Sequence, residues 1–114
     1  MEDCVFCKII AGQIPSDIVY RDDVCIAFKD INPATEIHLL IVPKEHITYL
    51  TDLKEEQAGL LGHMILVANE LARRNGIAEK GFRVVINVRE EGGQVVKHLH
   101  IHLLGGKRLR QGLV

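Results

Sequence analysis

The 114-residue chain has no tryptophan, only two tyrosines and three phenylalanines, and no excess of charge, since 14 Lys and Arg stand against 15 Asp and Glu for a formal net charge of −1. Without a basic surplus or a clustered basic face there is no general electrostatic case for a partner, so neither nucleic acid nor membrane is expected. No run approaches the roughly 20 apolar residues needed to cross a bilayer. The first residues, MEDCVFCKII, lack a basic segment leading into a long apolar stretch and do not resemble a secretory signal. A cytoplasmic location is therefore expected. Thiols stay reduced there, and an odd count of three cysteines favours ligands over a disulfide.

An apolar content of 47% with 25% charged residues excludes a disordered or fibrous chain. The length suits a single domain over residues 1–114. Six histidines beside three cysteines are the compositional feature that points to chemistry.

Along the chain, the apolar stretch from Cys4 to Ala11 is stopped by Gly12 and Pro15, which leaves room for one or two helical turns. Ile18 to Arg21 and Val24 to Lys29 are rich in strand formers and predict a hairpin turned at Asp22-Asp23. Ile37 to Val42 is a third strand, central because it is apolar on both faces except for His38, and Pro43 ends it. One long helix is predicted from Asp52, with Glu55 three residues on as a capping-box-like start, to a stop at Asn75-Gly76. Ala58, Leu61, Met64, Ile65, Ala68, Leu71 and Ala72 share one face of it, widened by Leu60 and Val67. That width predicts packing on the chain's own sheet along one edge and on a second copy along the other. Phe82 to Val88 and His98 to Leu104 complete five strands. The order β, β, β, α, β, β predicts an α+β fold with a five-stranded antiparallel sheet, one long helix and a short N-terminal helix.

The run His98-Leu99-His100-Ile101-His102-Leu103-Leu104 carries most information. A strand alternates its side chains with period two, so three imidazoles share one face while Leu99, Ile101 and Leu103 share the other. Packing alone does not explain such a row. Imidazole is a nucleophile, a proton carrier near neutrality and a metal ligand. Three such ligands alone would suit a zinc site, but glycine-rich turns flank the strand at Gly92-Gly93-Gln94 and Gly105-Gly106, where free backbone N–H groups suit phosphate oxygens. A nucleophilic imidazole beside a phosphate cradle points to phosphoryl or nucleotidyl transfer. Separately, Cys4-Val5-Phe6-Cys7 is a C-x-x-C, a zinc half-site or a redox pair, and no βαβ pattern follows to favour a thioredoxin-like reading. Cys25, in mid-strand, reads as an inert buried thiol, and His63 as structural or solvent-facing.

The ladder matches the His-φ-His-φ-His-φ-φ motif of the histidine triad (HIT) superfamily, and the chain resembles that superfamily over nearly its whole length. The matching segments are Phe6 to Ile10, Ile14-Pro15, Ala27 to Pro33, His38, Val42-Pro43-Lys44, His46, Val85-Ile86-Asn87, Gly92-Gly93-Gln94 and the triad with Gly105-Gly106. Gly-Gly after the triad is most similar to the Hint branch, nucleoside phosphoramidases, rather than to dinucleoside-polyphosphate hydrolases. The resemblance implies a homodimer whose sheets join into one larger sheet. It also implies a covalent nucleotidyl-histidine intermediate formed by His100 and a hydrolase acting on purine nucleoside 5′-phosphoramidates. The alternatives are a purine-nucleotide-binding regulatory module with incidental hydrolysis and a dinucleoside polyphosphate hydrolase.

Residue by residue, the resemblance implies that His102 contacts phosphate or moves a proton, that His98 orients His100 through its carbonyl, and that His38 is a fourth active-site histidine. Asn87 and the backbone of Gln94 would contact phosphate, and Asp30 the ribose. Phe6, Ile9, Phe28 and Ile31 would hold the base. Where Hint proteins carry a serine that helps the amine depart, three residues before the triad, this chain has Val95, which bears on efficiency and leaving-group preference. In bacterial relatives two cysteines join two histidines around zinc, which here implies Cys4, Cys7, His46 and His98 as a structural Zn2+ site. The basic tail from Lys107 to Val114 would lie near a partner's site or in solvent.

Overall fold

The β1 (Ile18–Arg21) and β2 (Cys25–Lys29) strands form the expected hairpin, and its turn is built on one carboxylate. Asp22 Oδ1 accepts from the backbone N–H of Val24 and Cys25 at 2.8 and 2.9 Å. Its Oδ2 takes the Tyr20 hydroxyl and His63 Nε2 at 2.6 Å each, with the Cys25 thiol at 3.7 Å. Burial works against the charge on Asp22, yet these donors hold its carboxyl well below the usual carboxylate range. The same carboxylate, after burial, pushes the Cys25 thiol up to about 12, so this fully buried cysteine stays protonated.

The computed structural model describes residues 3–111. Its five strands run in the order β1-β2-β3-β5-β4, every neighbour antiparallel, with β3 at Ile37–Pro43, β4 at Arg83–Val85 and β5 at Ile101–Gly105. One face carries Cys25, Ala27, Leu39, Ile41, Ile101 and Leu103 against α2 (Ala58–Arg74), which buries Met64, Val67, Ala68, Leu71 and Ala72. The other carries Ile26, Phe28, Leu40 and Val42 against Phe6 and Ile9 of the short helix α1 (Val5–Ile10). No helix among the described residues is long and apolar enough to cross a membrane.

Three boundaries differ from the sequence expectation. The long helix begins at Ala58, not Asp52. Asp52 accepts from Tyr49 N–H at 3.2 Å and closes a 3₁₀ turn over Leu50–Asp52; Leu53 is then extended, and a second 3₁₀ turn over Glu55–Gln57 precedes α2. The polar start signal therefore belongs to a separate turn. Only Arg83 to Val85 of the expected Phe82 to Val88 strand is paired. The last strand begins at Ile101 rather than His98, because β3 ends in Pro43 and β4 ends its pairing at Val85. Leu99 instead donates to Ile47 O.

Gly105-Gly106, expected to face phosphate, sits at the far end of β5. Gly105 pairs with Ile37, and a Cβ there would meet Ile77 Cδ1 at 2.6 Å. Gly106 has φ +103° against Glu36. These glycines permit close packing and do not line the cleft that His100 and His102 line. Residues 112–114 of the basic tail lie outside the described residues.

Replacing Asp22 with Ala should cost roughly 1–3 kcal/mol at pH 7, the usual scale for stranding donors at a charged acceptor. The folded pKa is depressed, so this stabilisation is present above the ordinary carboxylate value and fades as pH falls below it. Urea midpoints of wild type and Asp22→Ala should therefore differ most at pH 7, keep most of that difference at pH 3, and converge only in stronger acid, where the depressed carboxyl itself is protonated. A constant difference would contradict the account.

Candidate active site and metal centre

Beyond the ladder the alternation of side chains persists. Leu99 stays buried with the core-facing residues, while the rings of His98 and His100 meet Phe6 edge-on at 5.8 and 5.1 Å. All three triad rings thus share the α1 side of the sheet, as their spacing predicted. His102 is register partner to Leu40, and His38, two residues before Leu40, comes diagonally beside it.

Hydrogen-bond partners that can only donate or only accept assign each neutral ring its tautomer. The carbonyl of His98 can only accept, so His100 Nδ1, 2.7 Å away, carries the proton and leaves Nε2 with a free lone pair. Ala34 N–H can only donate, and it points at His38 Nδ1 at 3.0 Å. His38 therefore carries its proton on Nε2, which lies 2.9 Å from His102 Nδ1 and 3.3 Å from Asp30 Oδ2. His102 in turn accepts at Nδ1 and carries its proton on Nε2. The result is an acceptor ring, His100, beside a donor ring, His102, with centroids 4.9 Å apart.

Burial keeps these rings neutral. It brings His102 down to about 4, helped by neighbouring His100 and His38, and lowers His100 and His38 as well, against the opposing charge of Asp30.

The fourth ring faces elsewhere. His98 is fully buried, and its Nε2 lies 2.9 Å from Pro43 O, a carbonyl that requires a proton on that nitrogen. The free Nδ1 faces Cys4 Sγ at 3.3 Å and Cys7 Sγ at 3.6 Å. His46 Nδ1 lies 3.2 Å from Cys7 Sγ, and its Nε2 is 3.3 Å from Thr48 Oγ1. The four ligand atoms lie within 4.8 Å of one another. Zinc bonds of about 2.3 Å to sulfur and 2.0–2.1 Å to nitrogen, at a tetrahedral angle, separate S from N by about 3.5 Å. The observed separations fit a Cys2His2 centre. Burial raises the Cys7 thiol, and the neighbouring Cys4 sulfur adds to it.

A second grouping, Asp30, His38 and His102, is equally tight but does not suit a metal. A metal on His38 Nε2 would require a proton on Nδ1, where Ala34 already directs its N–H.

Above the rings lies a cleft of about 530 Å³. Phe6, Ile9, Phe28, Asp30, Ile31, Asn87, Gly93, His100 and His102 line it, as do Val5 and Val95. Ile31 and Val95 are each 88% exposed and form its rim. Asp30 Oδ1 is held by Asn32 N–H at 2.8 Å, and Asn87 Nδ2 donates to Gly92 O at 2.8 Å, leaving that amide's second N–H free.

Gln94 is placed differently from the expectation and does not line the cleft. Its backbone N–H donates to Arg89 O and that of Gly93 to Glu90 O, both at 3.0 Å, so neither is free for phosphate. Sequence reading also missed the wall residues Val5 and Val96, whose apolar character gave no sign of which side they face.

The family described as scavenger mRNA decapping enzyme C-term binding matches residues 3–112. The purine nucleoside phosphoramidase of Escherichia coli is 48% identical over 108 residues, covering 95% of this chain and 91% of that protein. The solved HIT family hydrolase of Clostridium thermocellum superimposes with a TM-score of 0.96 at 47% identity, over 100% of this chain and 99% of that one. A zinc-bound histidine triad family protein from Mycobacterium smegmatis does so at 0.80 with 31% identity, over 93% and 76%.

The ring assignments are open to nitrogen-15 NMR. At neutral pH, His100 should appear as the Nδ1–H tautomer and His38 and His102 as Nε2–H, with His102 titrating near pH 4. A His102 midpoint near 6.5, or a His100 ring protonated on Nε2, would contradict the geometry.

Proposed function

Because the chain belongs to the histidine triad family and is a HIT-type hydrolase by kinship, we propose that it hydrolyses purine nucleoside 5′-phosphoramidates through a nucleotidyl-His100 intermediate. The observation that carries this reading is the pairing of opposite tautomers, a lone pair on His100 beside a donor on His102.

His100 Nε2 attacks the α-phosphorus, and the P–N bond breaks with its electron pair leaving on the amine. His102 Nε2–H hydrogen-bonds the reacting group and passes its proton to the departing amine, and the water of the next step returns a proton to that nitrogen. Positive charge develops on the His100 ring as it is phosphorylated, and Nδ1–H shares that charge with the His98 carbonyl at 2.7 Å. Water then attacks phosphorus, frees the nucleotide and restores His100.

The purine lies against Phe6, Ile9 and Phe28 with Ile31 at the mouth, an apolar slot that grips either purine. Asp30 accepts from the ribose hydroxyls. Asn87 offers its second amide N–H to phosphate. Gln94, whose backbone is engaged elsewhere, has no part in that contact.

Cys4, Cys7, His46 and His98 would hold zinc, which their donor set and separations suit. Bound there it supplies no chemistry to the reaction and acts as a structural tie. The protein works as a homodimer in the cytoplasm; the pairing of two copies is supported by the edge of α2 where Leu61 and Ile65 are only half-buried and Leu66 is 64% exposed.

Val95 places no proton donor at the rim, and this favours one competing reading, a nucleotide-binding module without significant turnover.

Wild type should hydrolyse adenosine 5′-phosphoramidate faster than diadenosine polyphosphates, and His100→Ala should lose at least about 10³-fold in kcat while still binding AMP. A wild type that binds AMP and turns over none of these substrates would overturn the enzyme reading. Native mass spectrometry should find one zinc per chain, absent from Cys4→Ser/Cys7→Ser. A metal-free mass for both would remove the zinc assignment.

A further inference from the structure

Among the described residues the buried polar side chains are His38, His98, His100 and Gln94, and Gln94 alone is not an imidazole. Burying a carboxamide is unfavourable unless its N–H and C=O groups are matched. Each is matched here, and by backbone from three separate segments. Oε1 accepts from Arg89 N–H at 2.8 Å, while Nε2 donates to Thr48 O at 2.8 Å and to Val96 O at 3.1 Å. With the backbone bond to Arg89 O, Gln94 and Arg89 are joined twice, and the loop between them is closed.

The loop is costly to hold. Arg89 has φ +60°, left-handed for a residue with a Cβ, and a Cβ at Gly92 would run into the Val88 carbonyl. What stabilises it lies around Gln94. The Arg89 guanidinium lies 4.0 Å over the Tyr49 ring, and Arg89 N–H is received by the glutamine itself.

The three tied segments are those that matter to the site. The loop supplies Gly93, Val95 and Val96 to the cleft wall facing His100. Thr48 follows His46 by two residues and contacts its Nε2 through Oγ1 at 3.3 Å. Val96 precedes His98 by two. One buried side chain thus links the cleft wall to both histidines of the cysteine–histidine cluster.

We propose that Gln94 is a positioning residue for the reaction, acting through its side chain rather than its backbone. It fixes the distance between the 93–96 wall and His100, and with it the placement of phosphorus for in-line attack. This assignment rests on the phosphoramidase reading. The base slot is built on Phe6 and Ile9 of α1 and Phe28 of β2, to which Gln94 makes no hydrogen bond and is connected only through Val96 packed against them, so Gln94 governs the chemical step more than the grip on the nucleoside. A misplacement of about 1 Å at the reacting centre can cost on the order of 10²-fold.

The test uses Gln94→Glu, which keeps the acceptor for Arg89 but turns an oxygen toward Thr48 O and Val96 O, and Gln94→Asn, which keeps the amide but is too short to span all three. For both, kcat on adenosine 5′-phosphoramidate should fall roughly 10- to 100-fold. Adenosine affinity should stay within twofold, zinc content should be unchanged, and the Arg89 amide should exchange faster with deuterium. Values of kcat within twofold of wild type, or an equal fall in kcat and adenosine affinity, would overturn the assignment. Loss of folding in both variants would also overturn it by making Gln94 a determinant of the fold. An inactive wild type that binds adenosine would instead count against the phosphoramidase reading, leaving Arg89 exchange to report on the bracket itself.

Discussion

The hydrogen bonds made by the two ends of His98 set the chemistry of everything near it. Through its ring, the contact of Nε2 with Pro43 O fixes the proton on that nitrogen and turns a bare Nδ1 toward two sulfurs. Through its backbone, the carbonyl holds His100 Nδ1–H at 2.7 Å and leaves the opposite nitrogen of that ring with a free lone pair. A single residue thus presents a bare ring nitrogen to two cysteines on one side and an orienting acceptor on the other, with no exposed surface on which to rearrange. Pro43 contributes twice. It ends the ladder of β3, which lets His98 leave the strand, and its carbonyl receives the ring.

The same reasoning separates two clusters that a distance criterion treats alike. Both the cysteine–histidine group and the Asp30, His38 and His102 group bring their ligand atoms within 4.8 Å. In the first, the outward nitrogen of each histidine faces an oxygen able to accept, so the inward nitrogen is free to bind a cation. In the second, Ala34 N–H occupies the outward nitrogen of His38 and forces a proton inward, where it bridges to His102. One backbone amide thus makes the difference between a metal ligand and a proton donor. Burial keeps His98 in the first group, and His38 and His102 in the second, neutral near pH 7.

Much of this was legible in the sequence because it depends on periodicity. The alternation of histidine with leucine and isoleucine from 98 to 104 placed the rings on one face even though the first two lie beyond the paired strand. The C-x-x-C at Cys4 and Cys7 marked a pair of thiols that the fold brings together with His46 and His98, and the turn at Asp22-Asp23 announced the hairpin. The failures have a shared cause, since the residues concerned depend on contacts remote in the chain. Gly105-Gly106 looked like a phosphate cradle, but its glycines are required by Ile77 and Glu36. Asp52 looked like a helix start until Leu53 proved extended. Gln94 was read through its backbone, whereas its side chain reaches Thr48, 46 residues away in sequence. No local pattern records such a bond.

If the opposed tautomers of His100 and His102 support two successive displacements, with His100 as the first nucleophile, each displacement inverts the configuration at phosphorus. The direct measurement is hydrolysis of an adenosine 5′-phosphoramidate made chiral at phosphorus, carried out in isotopically labelled water, with the configuration of the product nucleotide then determined. Overall retention is the result this account predicts. Overall inversion would mean that water attacks the substrate directly, and that the lone pair held toward the cleft by His98 is not the nucleophile.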